Sequence, residues 1–287
     1  YTNNWSAPTV YGLQVLTKGG GAGGTTNLYG LYSQAQQTGA GTTTNAYSIS
    51  PEDLEKYSAE YIRGNFEAKP NPCWACQLHH CHMMRITEGP YQGETVEEPE
   101  YEGFAAWGPV TGQTQVASTM VISNDVDKLG FETNECSWLI GMVMECYEKG
   151  IINREDTDGL EMTWGNADAT RALLRKIAHR EGFGNTLAEG TMRAARLIGG
   201  EAPNLAIHTM KGNSPRGHDH RIRWYELFDT SVSSTGTIEA GGGGNRAQFG
   251  LPGQGNPFDP QDVVATTAKV KGSMQFQDSL GVCFFNT

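Results

Sequence analysis

The sequence predicts a mainly α fold with long glycine-rich loops. Three observations carry this. Apolar residues recur at helical spacing in several segments, capping residues and glycines bracket those segments, and no run alternates as a strand would. With 287 residues, 38% of them hydrophobic, the chain can bury one large core or two smaller ones.

Taken in order, residues 1–24 read as irregular and end in the glycine-rich run Gly19–Gly24. A helix is expected from Thr25 or Thr26 to about Gln37, stopped by Gly39. Ser50-Pro51-Glu52-Asp53 places a capping hydroxyl, a first-turn proline and acids at the positive end of a helix dipole. Leu54, Tyr57, Tyr61 and Ile62 then repeat at helical spacing as far as Gly64. Next comes Asn71-Pro-Cys-Trp-Ala-Cys-Gln-Leu-His-His-Cys-His82, where Pro72 blocks helix entry and leaves the cysteines on a loop.

Residues 88–112 read as loop, with five Glu between 92 and 102. From Asn134 to Glu148 a broad apolar face returns, with Trp138, Met142 and Cys146 on one stripe, Leu139, Val143 and Tyr147 on the next, and Gly150 as the stop. Asn166 to about Arg180 is another helix, with Ala169, Leu173 and Ile177 inward; Gly182 and Gly184 break it. Thr186-Leu-Ala-Glu189 has the form of a capping box opening a helix to Ile198. Beyond residue 203 the periodicity fades, residues 235–260 form a Gly- and Pro-rich loop centred on Gly241–Gly244, and a last helix spans Asp262 to Phe276.

A net charge of −11 argues against nucleic acid or an anionic membrane surface as main partner, and no apolar run is long enough to span a bilayer. The chain opens at Tyr1 with no signal peptide and reads as a segment of a longer polypeptide. Six cysteines without secretory features fit a reducing, cytoplasmic setting, where thiols serve metals or redox chemistry.

Cys73, Cys76 and Cys81, spaced C-x2-C-x4-C, are the most specific signal. Three thiolates this close can grip one soft metal centre; a cubane iron–sulfur cluster needs a fourth, for which Cys283 is the candidate. Structural zinc is the rival, because His79, His80 and His82 crowd the same turn. Gln77 after Cys76 excludes a haem c attachment. A second signal is the pair Asp156-x-x-Gly159-Leu160 and Asp278-x-x-Gly281-Val282, each able to aim a carboxylate at the N–H donors of a heterocycle, or to mark an ordinary helix end. Glu135 and Glu132, at a helix entry, are candidate proton carriers or simple complements to the dipole. Cys136 and Cys146 read as core residues. Gly217-His218-Asp219-His220-Arg221 gathers polar groups suited to metal, phosphate or a solvated turn.

Together these residues resemble the tungsten- or molybdenum-pterin aldehyde:ferredoxin oxidoreductase family. The likeness includes Leu16–Gly20, Thr38–Ala40, the cysteine trio, Pro99-Glu-Tyr-Glu102, the 134–150 helix, Asp156–Leu160, Arg180–Gly184, Leu187–Gly190, Met210-Lys-Gly212 and Asp278–Cys283. It implies two helical domains, 1–203 and the start of a second at 204–287, with a pterin-binding β domain upstream of the chain. It further implies that Cys73, Cys76, Cys81 and Cys283 bind a [4Fe-4S] cluster. Asp156, Leu160 and Glu161 would line one pterin, and Asp278, Val282 and Phe284 the other, around one tungsten or molybdenum, with Mg2+ a further candidate ion.

The implied reaction is oxidation of an aldehyde, the small-molecule substrate, to a carboxylic acid. Electrons would leave to ferredoxin or an iron–sulfur electron-transfer subunit, in a homo- or hetero-oligomer. Three departures stand out. The family spacing is usually C-x2-C-x3-C, Thr237 stands where the family carries a His, and the pterin-contacting Lys that follows that His is missing. The alternatives are a low-potential reductase of an aromatic acyl-CoA or other activated acid on the same scaffold, and an iron–sulfur or zinc-stabilised electron-transfer or structural module.

Overall fold

The structure is a computed structural model describing residues 50–74, 76, 81–216, 224–233, 256, 258–272, 275–276 and 279–281. The helix expected at 25–37, the glycine runs at 19–24 and 241–244, the polar cluster 217–221 and Thr237 lie outside the described residues.

Ser50 caps as expected, accepting the Asp53 N–H at 3.0 Å. The helix it opens, α1 (Pro51–Glu55), is short, and α2 (Ala59–Asn65) starts anew at Ser58. Ser58 has extended backbone and its hydroxyl accepts the Tyr61 N–H, so two capped helices stand where one run was expected. The break turns Tyr57 inward, where its hydroxyl donates to the Gln113 carbonyl at 2.8 Å and meets the Thr119 hydroxyl at 2.8 Å.

The absence of strands is corrected by the structure. β1 (Glu67–Pro70), β2 (His82–Arg85) and β3 (Thr95–Glu97) form an antiparallel sheet in that order. Ala68 pairs with Met84 and Met84 with Val96. Each strand has at most four residues and only Met84 and Val96 reach the core, too few to show alternation. The stretch 88–112, expected as loop, holds β3, α3 (Tyr101–Trp107) and a 3-10 turn (Pro109–Thr111).

The helix α4 (Val116–Leu129) escaped the pattern because it is buried on nearly every side and so has no polar face to set a period. It crosses α3 at Gly103, where a Cβ would lie 2.8 Å from Ser123 Oγ and 2.9 Å from Pro99 Cβ. The expected helices α5 (Thr133–Glu148) and α6 (Ala167–His179) are present, the latter capped by Asn166 and buried through Ala169, Leu173 and Ile177. The capping box at Thr186 opens nothing. α7 (Phe183–Leu187) ends there, Glu189 pairs with Arg180 at 2.9 Å, and α8 (Thr191–Ile198) starts after Gly190. α9 (Ala202–Leu205) follows. Late in the chain α10 (Trp224–Val232) packs on α11 (Pro260–Val270), joined by Tyr225 to Asp262 and Lys271 to Asp229. The helix expected to run to Phe276 ends at Val270; a turn at Lys271 and Gly272 follows, and Gln275 and Phe276 are helical again.

Two apolar clusters result. One surrounds α5 with residues of α6 to α9; the other lies under the sheet and against α3 and α4. Cys136 and Cys146 are buried in the first, as expected, and burial pushes the Cys146 thiol up to about 12. Among the described residues no helix is long and apolar enough to cross a membrane. The fold is mainly α.

Candidate cofactor site

The cysteine segment joins β1 to β2. Pro70 faces His82 at the end of the ladder, and the Asn71 N–H donates to the Cys81 carbonyl at 2.9 Å, closing both ends of the turn. Within it the Cys76 N–H donates to the Cys73 carbonyl at 3.0 Å. Cys73 is exposed, Cys76 and Cys81 are half-buried, and Trp74 between them is 99% exposed.

Burial pushes the Cys81 thiol up, followed by the charges of Glu100, Cys73, Glu97 and Cys76. Cys73 and Cys76 thus lie near enough to Cys81 to act on it. That donor set suits a soft, thiolate-bound centre. Among the described residues, however, no three His, Cys, Asp or Glu side chains close on one point tightly enough to hold a metal ion. Cys283, Asp278, Val282 and Phe284 lie outside the described residues. The fit is one of donor chemistry and topology.

The start of β2 is held from two sides. Glu98 extends β3 and donates its N–H to the His82 carbonyl at 2.8 Å. Its carboxylate meets His82 Nδ1 at 2.8 Å and Arg63 of α2 at 2.8 Å. Beyond β3, Glu102 of the Pro99-Glu-Tyr-Glu102 motif pairs with Arg216 at 3.2 Å.

The first acid–glycine motif lies elsewhere. The Asp156 carboxylate accepts the Asn153 N–H at 2.8 Å, and Gly159, at φ 85°, lets its N–H reach the Arg154 carbonyl at 2.7 Å. The turn thus closes on itself. Asp156 and Glu161 are exposed, and Leu160 packs against the α5 cluster. The hydrogen bonds of Asp156, Gly159 and Glu161 stay within residues 153–166.

The same pattern occurs a third time, unnoticed in the sequence reading, as Asp127-Lys-Leu-Gly130-Phe131 at the end of α4. There Gly130 at φ 73° caps the helix. Burial, then the charge of Glu97, raises the Asp127 carboxyl, so this copy shares Glu97 with Cys81. Counting every D-x-x-G-apolar run would have found it.

Glu132 and Glu135 border a cavity of about 530 Å3 and a second of about 340 Å3. Glu132 caps α5, accepting the Glu135 N–H. Both Glu135 oxygens accept backbone N–H groups, from Thr191 at 2.6 Å and Ser214 at 2.5 Å. Gly190, which precedes α8, has no side chain to cap it, and Glu135 does so from the neighbouring helix.

The tungsten-containing aldehyde ferredoxin oxidoreductase of Pyrococcus furiosus is 31% identical over 243 residues, covering 80% of this chain and 37% of that protein. The aliphatic sulfonate oxidoreductase, WOR-like subunit, of the same organism is 30% identical over 221 residues, 72% of this chain and 34% of that protein. The chain thus spans well under half the length of these relatives. Among solved structures, the active site complex BamBC of benzoyl coenzyme A reductase with 1,5-dienoyl-CoA aligns with a TM-score of 0.47 and 22% identity, over 61% of this chain and 26% of that one. A family model described as aldehyde ferredoxin oxidoreductase, domains 2 and 3, matches residues 10–287, and the chain belongs to that family.

Proposed function

We propose that the chain is the helical part of a tungsten- or molybdenum-pterin oxidoreductase that oxidises an aldehyde to a carboxylic acid. The observation that carries this reading is the conjunction of family membership with three cysteines on a turn fixed at both strand ends. Cys73, Cys76 and Cys81, with Cys283, would hold a [4Fe-4S] cluster. When bound, tungsten or molybdenum on two pterins would supply two-electron chemistry, and the cluster would supply one-electron exchange suited to a ferredoxin-like acceptor.

In this reading Asp278, Val282 and Phe284 approach one pterin. Asp156, Leu160 and Glu161 approach the other. Glu135 and then Glu132 are the proposed proton carriers, and both border the same cavities. The division at residue 203 into two helical domains and a cytoplasmic setting belong to the same proposal. A second reading, reduction of an aromatic acyl-CoA or other activated acid, is favoured by Thr237 in place of the family's His.

The test is elemental analysis of the full-length protein purified without oxygen, followed by assay with aldehydes and viologen dye. Tungsten or molybdenum together with iron, and dye reduction by aldehyde, are expected. Dye oxidation with an activated acid instead would favour the second reading. Zinc alone would overturn both in favour of a structural module, and iron alone in favour of an electron carrier.

A further inference from the structure

Glu98 follows β3 and lies opposite His82 of β2, one step beyond the Met83–Glu97 pair. Their backbones are bonded through the Glu98 N–H, and their side chains meet on one face. Arg63 also approaches His82 Nδ1, at 3.4 Å, but the carboxylate is closer at 2.8 Å. A carboxylate can only accept, so the His82 Nδ1–H donates to Glu98. Arg63 in turn brackets both Glu98 oxygens, at 2.8 and 2.9 Å, and its other nitrogen touches Met84 Sδ at 3.6 Å. The carboxylate is thus pinned from α2 and grips the residue that follows Cys81. From the other side Cys81 is fixed by the Asn71 N–H.

We propose that Glu98 is a positioning residue for the cysteine turn, acting through His82 to fix the Cys81 sulfur relative to Cys73 and Cys76. The inference rests on the reading that this turn holds an iron–sulfur cluster. Groups that orient ligands from behind typically change metal retention by about 10–100-fold when removed. The Glu98 backbone bond to His82 does not depend on the side chain, so the sheet itself survives its truncation.

The experiment uses full-length protein purified without oxygen and follows iron release to a chelator together with the electron paramagnetic resonance spectrum of the reduced protein. Glu98→Ala should release iron about 10–100-fold faster and change the g values. Glu98→Gln keeps an acceptor for the His82 N–H and should restore both readouts. His82→Ala should match Glu98→Ala, and the double variant should be no faster than His82→Ala alone. Wild-type release and spectrum in Glu98→Ala would overturn the proposal. Equal loss in Glu98→Gln and Glu98→Ala would also overturn it, because the Arg63 ion pair would then be the cause. Wild-type protein purified without iron would sink the cluster reading itself, a result distinct from either.

Discussion

The Glu135 carboxylate of α5 accepts the Thr191 N–H that opens α8, at 2.6 Å, and through its second oxygen the Ser214 N–H at 2.5 Å. One side chain therefore ties together a helix start, a neighbouring helix and the segment that carries Lys211 and Arg216. Ser214 adds a bond from its hydroxyl to Thr191 at 3.1 Å.

Glu135→Gln keeps one acceptor and turns an amide NH2 toward the other backbone donor. It should cost about 1–3 kcal/mol of stability, read from denaturant midpoints. Turnover of the full-length enzyme separates the two roles of this residue: lost activity at unchanged stability marks a proton carrier, and lost stability with activity retained marks a clamp.

Tyr57→Phe removes the hydroxyl shared with Gln113 and Thr119 without changing the ring's packing against Phe104. It should destabilise by about 1 kcal/mol, measured by urea unfolding.

Gly103→Ala sets a methyl against Ser123 and Pro99 at the α3–α4 crossing. The expected loss is about 1–3 kcal/mol, seen as a lower midpoint, and Ser123→Gly in the same chain should recover part of it.

Acid should weaken the α6–α7 corner. The Phe183 N–H and then Lys176 hold the Asp158 carboxyl below its usual range. A lowered folded-state pKa means the contribution is complete above the unfolded carboxylate value of about 3.9 and is lost as pH falls through the folded value. Asp158→Asn should therefore reduce stability at neutral pH and flatten its decline below about pH 4, followed by thermal unfolding across pH.

Cys81→Ser in the full-length protein should lower iron content, whereas Cys136→Ser, at a residue buried in the α5 cluster, should leave it unchanged. Metal analysis of the two variants decides it.

What the sequence disclosed follows from where polarity changes. α6 was readable because Asn166 caps it and its buried residues face one way, against exposed charges on the other. α4 was not, because Met120, Val121, Ile122 and Val126 are buried together and leave no contrast. The boundary between α7 and α8 was misplaced because the acid that serves α8 comes from Glu135, distant in sequence, and local reading chose Glu189. At the site, the cysteines announced themselves by spacing. Glu98 and Arg63 became visible only when β2 and β3 were seen to pair. Asp127 carries the same pattern as Asp156, there at the end of α4.

The hairpin that carries the cysteines also decides how much their spacing is free to drift. Its second strand, β2, is also paired with β3, where Met84 and Val96 are the inward residues, so sliding that pairing by a single position would turn both toward solvent. An added residue between Cys76 and Cys81, as in C-x4-C, must then be absorbed ahead of the Cys81–Asn71 bond, leaving the ladder unmoved.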